Sequence, residues 1–160
     1  MVKGDVRNRN LLGQILREHH FNTVIHFAGM KSVGESVEKP LLYYDNKVAG
    51  SLCMLEAMQA AQLDTIVFSS SATVYGDPVH LPIPETPALS ASNPYGRKKI
   101  MVEDILRDYY QANEDWRIAI LRCFNLVGAH ESGLIGEDPK GGLIVSCLTW
   151  PGWPMAACHI

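Results

Sequence analysis

Two short apolar segments, joined by a helical pattern, form the first recognisable unit of the chain. Residues 23–28 read "TVIHFA" and end at Gly29, and residues 65–68 lie in "DTIVFSSS", which ends in serines. Apolar runs of this length, bounded by turn residues, are typical of buried strands. Pro40 marks a helix start between them. The apolar stripe of that helix contains Tyr44, Val48, Leu52 and Leu55. The pattern predicts a strand, helix, strand unit.

A second helix and a further strand repeat this alternation. Asn93 followed by Pro94 predicts a helix start, because Asn caps free backbone N–H groups and Pro fits the first helical position. The apolar stripe of this helix contains Met101, Val102, Ile105, Leu106 and Tyr109. Residues 117–128, "RIAILRCFNLVG", predict the next strand. Upstream, residues 10–20 predict a helix, and "MVKGDV" predicts the end of an earlier strand. Strands that alternate with helices predict a doubly wound, parallel α/β sheet.

Composition narrows the function mainly by exclusion. A chain of 160 residues, 47% of them hydrophobic, has room for one ordinary domain with a core. A net charge of -3 without a basic run argues against nucleic acid as a partner. The four cysteines show neither C-x-x-C spacing nor the density of a disulfide scaffold, and no signal peptide or membrane span is recognisable. We therefore expect a cytoplasmic protein, and no metal site.

Polar residues follow the predicted strands at the edge where ligands bind in open α/β sheets. Ser71 ends one strand, and Tyr95 and Lys99 lie four residues apart at the start of the next helix. An ammonium group beside a phenol lowers the pKa of the phenol, as a general base requires. The sequence predicts that these three polar groups converge at one edge of the sheet, where Ser71 and Tyr95 would contact the same ligand atom. The other interpretation is a capped surface helix that carries a Tyr and a Lys by chance.

Six separated blocks resemble one family in order and spacing. They read "NTVIHFAGMKSVGES", "YYDNKVAGS", "FSSSATVYG", "NPYGRKK", "LRCFNLVGAH" and "GEDPKG". The resemblance, which covers residues 2–141, is to UDP-glucose 4-epimerases of the extended short-chain dehydrogenase/reductase group. It implies an NAD-dependent isomerase of galactose metabolism that interconverts UDP-galactose and UDP-glucose. It also implies a homodimer, packed through the helices near 40–62 and 94–111.

By this resemblance Tyr95, Lys99 and Ser71 are the catalytic residues. Tyr95 would take the proton of the sugar 4-hydroxyl while C4 is transiently oxidised, Lys99 would hold the nicotinamide ribose, and Ser71 would bind the reacting oxygen. The same matching implies that the NAD contacts also include Asp5, Val6, Phe27, Ala28, Gly29, Met30, Lys31, Asn46 and Phe124. Asn125 would contact substrate together with Ser71 and Tyr95. From pattern alone Phe27 and Phe124 fit a core equally well, Asp5 fits a turn, and Lys31 fits a solvated surface.

The sequence also departs from this family. It contains no G-x-x-G-x-x-G fingerprint, which predicts a partial Rossmann-like fold without its first two strands and without the substrate domain. The strand at 23–28 is then expected to have an unpaired edge. Cys123, Leu126 and Lys98 differ from the usual family residues. Residues 1–140 are predicted to be the partial NAD-binding domain, and residues 141–160, which lack Asp, Glu, Lys and Arg, an atypical tail, frameshifted or disordered.

Two other functions are compatible with the sequence. The first is a catalytically inactive relative of such an enzyme that associates with other copies through the unpaired strand. The second is a sugar-nucleotide 4,6-dehydratase, which needs an acid near the strand end to expel the C6 hydroxyl. Ala72 and Thr73 follow Ser71, so the epimerase interpretation is favoured over the dehydratase.

Overall fold

The computed structural model describes residues 2–30, 32–78, 80–86, 88–124, 132 and 134. The chain divides into two compact units, Met1–Cys123 and Phe124–Ile160. All described helices and strands belong to the first unit. The predicted boundary between residues 140 and 141 and the predicted tail lie outside the described residues, so both stay predictions. Within the described ranges, no helix has the length and apolar character that crossing a membrane requires.

The first unit contains a three-stranded parallel sheet. Strand β1 is Val24–His26, β2 is Thr65–Ser71 and β3 is Arg117–Cys123, in the order β1-β2-β3. Val24 lies opposite Ile66, and Thr65 lies opposite Arg117. The parallel α/β class is thus confirmed. Among the described strands β1 pairs only with β2, as expected for a strand with an unpaired edge. The prediction of a strand at "MVKGDV" was wrong, because residues 2–8 form no strand and none of the described strands lies beside them.

Helices connect these strands close to the predicted positions. They are α1 (Arg9–Glu18), α2 (Val33–Glu38), α3 (Pro40–Tyr44), α4 (Gly50–Ala60) and α5 (Pro94–Ala112). The side chain of Asn93 accepts from the backbone N–H of Gly96 at 2.8 Å, and Pro94 occupies the first turn, so the predicted start of α5 is confirmed. A short 3₁₀ helix, Ala72–Tyr75, follows β2.

The hydrophobic core lies where α4 and α5 pack on the sheet. Its buried residues are Leu55, Met58, Leu63, Ile66, Phe68, Val102, Leu106 and Trp116. The predicted stripe of α5 is confirmed except at Met101, which is exposed. On the sheet, residues alternate: Ile66 and Phe68 are buried, whereas Ile25 of β1 and Leu121 of β3 are exposed. A doubly wound sheet normally buries both faces, so these exposed side chains mark a face that the described helices leave uncovered.

The predicted stripe on the helix after Pro40 was correct at Leu55, which is buried in the core, and at Val48, which packs against the core, but wrong at Leu52. A π-helical segment, Asp45–Ala49, joins α3 to α4. The side chains that turn inward at i, i+4 spacing are Tyr43, Lys47, Ser51 and Leu55, whereas Leu52 of the predicted stripe is exposed. A π turn contains one residue more than an α turn, so an apolar stripe read at α-helical spacing cannot be continuous across it.

A buried carboxylate ties α5 to β2 and β3. Glu103 of α5 is fully buried, and Ser70 of β2 donates a hydrogen bond to it. Arg122 of β3 forms a salt bridge with Glu103 at 2.9 Å, and Arg107 forms another at 2.7 Å. Arg122 also donates to the hydroxyl of Tyr75 at 3.0 Å. Burial alone would raise the pKa of Glu103, but hydrogen bonds from Arg122, Ser70 and Arg107 outweigh burial, and the pKa lies below its ordinary value.

Candidate active site

The first turn of α5 lies directly against the 3₁₀ helix that follows β2. A Cβ placed on Gly96 would lie only 2.6 Å from the carbonyl oxygen of Thr73, so a residue without a side chain permits this approach. Tyr95 and Lys99 are carried by the same helical segment. Both residues therefore belong to the segment of α5 that contacts β2 and the residues after it, and their role in a site stays a prediction.

Lys99 is fixed to β2 by a backbone contact. Its side chain is only 4% exposed, and its amine donates a hydrogen bond to the carbonyl oxygen of Ser69. The amine also lies 4.8 Å from the ring centroid of Phe68. Burial lowers the pKa of Lys99, while a hydrogen bond with Lys47 and the charges of Cys123 and Glu103 oppose that change.

Tyr95 does not have the lowered pKa that the sequence predicts. The residue is half-buried, and burial raises the pKa of its phenol. The physical reason is that a phenolate loses hydration in this environment, and the ammonium of Lys99 is directed to the carbonyl of Ser69. In this structure Tyr95 is therefore a neutral phenol at pH 7.

The three serines after the second apolar run have three different environments. Ser69 presents its carbonyl to Lys99, and the side chain of Ser70 is buried against Glu103. Ser71 ends β2, and its hydroxyl oxygen accepts hydrogen bonds from the backbone N–H and the hydroxyl of Thr73, at 3.3 and 3.1 Å. Ser71 is thus held in place while its own hydroxyl hydrogen can be donated.

The predicted cofactor contacts after β1 form an exposed edge of the unit. Phe27 is 70% exposed and so is not part of the core, and Ala28 is also exposed. Gly29 has φ of 140°, a conformation that favours glycine. The backbone N–H of Met30 donates to the side-chain oxygen of Asn46 at 3.0 Å, which joins this turn to the π-helical segment. Lys31 lies outside the described residues.

Asp5 and Val6, the predicted adenine-side contacts, take part in a surface turn. Asp5 forms a salt bridge with Arg7 at 2.7 Å and accepts from the backbone N–H of Arg7 at 2.9 Å. Hydrogen bonds from Arg7 lower the pKa of Asp5 to about 2. Val6 lies against Gly50, where a Cβ would come 2.7 Å from its methyl group. These contacts account for both residues without a ligand, and their role toward NAD stays a prediction.

Two predicted residues follow β3. Phe124 is exposed and belongs to the unit Phe124–Ile160, and Asn125 lies outside the described residues. Their roles stay predictions. Cys123, the last residue of β3, is a free and exposed cysteine. In the described part of the chain, no group of three His, Cys, Asp or Glu side chains could hold a metal ion.

Sequence reasoning missed Lys47. This residue of the π-helical segment is 5% exposed, and its amine lies 5.1 Å from the ring centroid of Tyr95. Burial, followed by the charge of Lys99 and a hydrogen bond with it, lowers the pKa of Lys47 to about 7. The sequence did contain an indication of this, since Lys47 lies four residues after Tyr43. The apolar stripe that includes Tyr44 and Val48, one position later, was chosen instead.

Comparisons with known proteins agree on one family. A family model described as GDP-mannose 4,6 dehydratase matches residues 1–149. A UDP-glucose 4-epimerase of Yersinia pestis is 58% identical over 142 residues, which are 88% of this chain and 42% of that protein. A UDP-glucose 4-epimerase of Cyamopsis tetragonoloba is 55% identical over 87% of this chain and 40% of its own length.

Solved structures give the same result. A UDP-glucose 4-epimerase of Stenotrophomonas maltophila, crystallised with NAD and formylated UDP-arabinopyranose, has a TM-score of 0.83 and 49% identity. One from Bifidobacterium longum, in complex with NAD+ and UDP, has a TM-score of 0.83 and 52% identity. This chain spans about two fifths of the length of these relatives, since each match covers 88% of this chain and 42% of the other. The chain belongs to the nucleotide-sugar epimerase and dehydratase family of extended short-chain dehydrogenases/reductases, in which its similar relatives are UDP-glucose 4-epimerases.

Proposed function

We propose that this chain carries the proton-transfer half of a UDP-glucose 4-epimerase, which interconverts UDP-galactose and UDP-glucose by transient oxidation at C4 of the hexose. One observation carries the proposal: Tyr95 and Lys99 lie in the first two turns of α5, which are held against β2 by the Lys99 to Ser69 hydrogen bond. The proposal extends to this chain the activity for which relatives of more than twice its length are named.

The donor groups of this edge fit the nicotinamide ribose of NAD, the cofactor named for the crystallised relatives. Lys99 and Lys47 are buried lysines, and Ser71 has a hydroxyl hydrogen to donate. Two amines and a hydroxyl suit the hydroxyl groups of a ribose. When bound, NAD would supply a hydride acceptor for C4 and return the hydride. Lys99 and Asn46 are the proposed holding residues, together with Gly29 and Met30 of the adjoining turn.

In the proposed reaction Tyr95 exchanges a proton with the sugar 4-hydroxyl. Burial raises the pKa of this phenol, so Tyr95 can act as a base at neutral pH only when an ammonium group is brought against its oxygen. Lys99 is the proposed source of that charge. Ser71 would donate its hydroxyl hydrogen to the sugar oxygen and so hold it against Tyr95.

The test is coupled epimerisation of UDP-galactose by the purified chain with added NAD. Tyr95→Phe should reduce turnover by at least ~100-fold, the usual contribution of a general base. Tyr110→Phe is the matched control, because Tyr110 lies on the same helix and is exposed. Equal turnover in wild type and Tyr95→Phe would refute the role of Tyr95. No turnover in a folded, soluble wild type would show that this half of the site is insufficient.

The dehydratase alternative has less support at the end of β2. The 3₁₀ helix that follows Ser71 is Ala72–Tyr75, and none of its residues carries a carboxyl group. Expulsion of the C6 hydroxyl needs an acid near this position. The same reaction mixtures distinguish the two activities, because a dehydratase would accumulate a 4-keto-6-deoxy sugar nucleotide and an epimerase would not.

The exposed side of the sheet favours a second candidate, self-association without catalysis. Ile25 on the unpaired strand β1 and Leu121 on β3 are exposed apolar residues on this sheet. A homodimer through α3, α4 and α5, as the family resemblance implies, would use a different surface. We also propose that the protein is cytoplasmic, because its cysteines do not show the pattern of a disulfide-bonded protein.

A further inference from the structure

Lys98 of α5 is a buried lysine that the proposed reaction does not use. Its side chain is fully buried, and its amine has no hydrogen-bond partner in the part of the chain that the structure describes. The amine lies 4.6 Å from the ring centroid of Tyr43 and 4.9 Å from that of Tyr44. An ammonium group within ~6 Å of a ring centroid is attracted to the face of the ring. The two tyrosine rings of α3 are therefore the partners that the structure gives this amine.

The ring of Tyr43 is also held through its hydroxyl. Tyr43 is fully buried, and its hydroxyl donates a hydrogen bond to Glu35 of α2 at 2.9 Å. A phenol that donates to a carboxylate carries more electron density on its ring, so it attracts a cation more strongly. Glu35 also forms a salt bridge with Lys39 at 3.2 Å. One chain of contacts, from Lys98 through Tyr43 to Glu35, therefore connects α5, α3 and α2.

The neighbouring lysine amines lie over other aromatic rings. The amine of Lys47 lies 5.1 Å from the ring centroid of Tyr95, and the amine of Lys99 lies 4.8 Å from that of Phe68. Burial lowers the pKa of Lys98, whereas a ring face attracts only the charged form of the amine and so opposes that change. The rings of Tyr43 and Tyr44 are thus the groups that favour an ammonium at this buried position.

The position of α3 affects the candidate site through the residues that follow it. The π-helical segment Asp45–Ala49 continues directly from α3. Within this segment, the side chain of Asn46 accepts from the backbone N–H of Met30 at 3.0 Å, and the amine of Lys47 lies over the Tyr95 ring. A shift of α3 relative to α5 would therefore disturb the turn after β1 and the surroundings of Tyr95 together.

We propose that Lys98 is a positioning residue of this site: its ammonium group, held between two tyrosine rings, fixes α3 against the first two turns of α5. The inference rests on the proposed epimerase function and deepens it, because it identifies a contact that aligns the predicted cofactor turn with the proton-transfer residues. It also gives a role to a position at which the sequence departs from the usual family residue.

The first test is NMR of the wild-type chain labelled with ¹³C at the lysine ε-carbon, with no substrate or cofactor. The Lys98 signal is assigned by its disappearance in Lys98→Arg, which keeps the positive charge. Its ε-methylene protons should lie upfield of those of an exposed lysine such as Lys3, because the two ring faces shield them. Its ε-carbon should have the shift of an ammonium at pH 7. A Lys98 signal that coincides with those of exposed lysines, or that reports a neutral amine at pH 7, would overturn the proposal.

The second test measures hydrogen exchange of the Met30 amide in two variants of Tyr44. Tyr44→Leu removes the aromatic ring, whereas Tyr44→Phe retains it and is the matched control. Exchange of the Met30 amide should be ~10-fold faster or more in Tyr44→Leu, and within ~3-fold of wild type in Tyr44→Phe. The amide of Phe68 on the central strand β2 reports the stability of the whole unit, and its exchange should change less than that of Met30.

Lys98→Met completes a double-mutant cycle. In this background Tyr44→Leu should change exchange of the Met30 amide by less than ~3-fold, because the ring no longer has a cation to attract. Equal exchange in Tyr44→Leu and Tyr44→Phe, or a full effect of Tyr44→Leu in Lys98→Met, would overturn the proposal. If Lys98→Met does not fold, the wild-type spectrum and the two Tyr44 variants decide. These measurements need neither turnover nor bound NAD, so failure of this inference is distinguishable from failure of the epimerase proposal.

Discussion

Replacing Glu103 by glutamine is expected to destabilise the chain by about 3 kcal/mol at pH 7. Glu103 is fully buried, and its partner Arg122 is only 18% exposed, so the substitution leaves a largely desolvated guanidinium without its counter-charge. Breaking a buried ion pair from one side costs ~3–5 kcal/mol. The lower end applies here, because Arg107 is 42% exposed and can return to water, and because the glutamine oxygen still accepts hydrogen bonds.

Urea unfolding followed by circular dichroism measures this loss. For a unit of this size the unfolding free energy changes by ~1–3 kcal/mol per molar urea, so the midpoint should fall by about 1–3 M. Asp104→Asn is the matched control. Asp104 is the neighbouring residue on α5, its side chain is 61% exposed, and it pairs only with the exposed Arg107 among its described contacts. Its substitution should change the free energy of unfolding by less than ~0.5 kcal/mol.

The pH dependence gives an independent check. The pKa of Glu103 is lower in the folded chain than its ordinary value of 4.5. A group with a lowered folded pKa contributes stability above its unfolded pKa, and that contribution is lost as pH falls through the folded pKa. The difference between wild type and Glu103→Gln should therefore be full at pH 7 and shrink below about pH 4.5. A Glu103→Gln midpoint equal to wild type at pH 7, or a deficit that does not change with pH, would refute the reasoning.

Three further changes test other contacts. Gly96→Ala should lower the free energy of unfolding by ~1–3 kcal/mol, because the new methyl group would overlap the Thr73 carbonyl. Gly34→Ala is the control: its new methyl group meets nothing within 4 Å, so this variant should be as stable as wild type or more stable. Equal thermal stability of the two variants would contradict this prediction. Asn93→Ala should cost ~1 kcal/mol in urea unfolding through loss of the cap on α5, and an unchanged midpoint would show that the cap is not needed. Ile25→Lys should weaken concentration-dependent association in sedimentation; a wild type that stays monomeric at all concentrations would exclude association through β1.

The strands and the start of α5 were predictable because each has a strong local signal. Asn93 and Pro94 determine the start of α5: the Asn93 side chain caps a free backbone N–H, and Pro94 has no N–H that needs a partner. Neither effect depends on residues that are distant in sequence. The run at residues 65–68 has a continuous apolar pattern that a parallel strand requires. By contrast, "MVKGDV" has strand-like residues but no neighbouring strand in the part of the chain that the structure describes, and a strand exists only through its pairing.

The electrostatics of the candidate site were less accessible from sequence. Tyr-x-x-x-Lys spacing correctly indicates a shared helix segment, but it does not show that Lys99 donates to the Ser69 carbonyl. The pKa of Tyr95 depends on burial, which is a property of the packed unit. Lys47 was missed for a related reason, since a lysine in a helical stripe normally points to solvent. The inward direction of the Lys47 side chain follows from its contact with Gly29 and from the π-helical segment, which rotates the residues after it relative to those before it.

The π-helical segment Asp45–Ala49 amounts to one inserted residue in an otherwise continuous helix. Each residue of an α-helix turns the chain by about 100°, so deleting one position from this segment would rotate everything before it relative to everything after it. Asn46 and Lys47 would then face different neighbours, although no side chain of the site had been changed. Among homologues, the length of this helix would therefore need to be compared before its residues are aligned, because a gap of one position there decides which side chain enters the site.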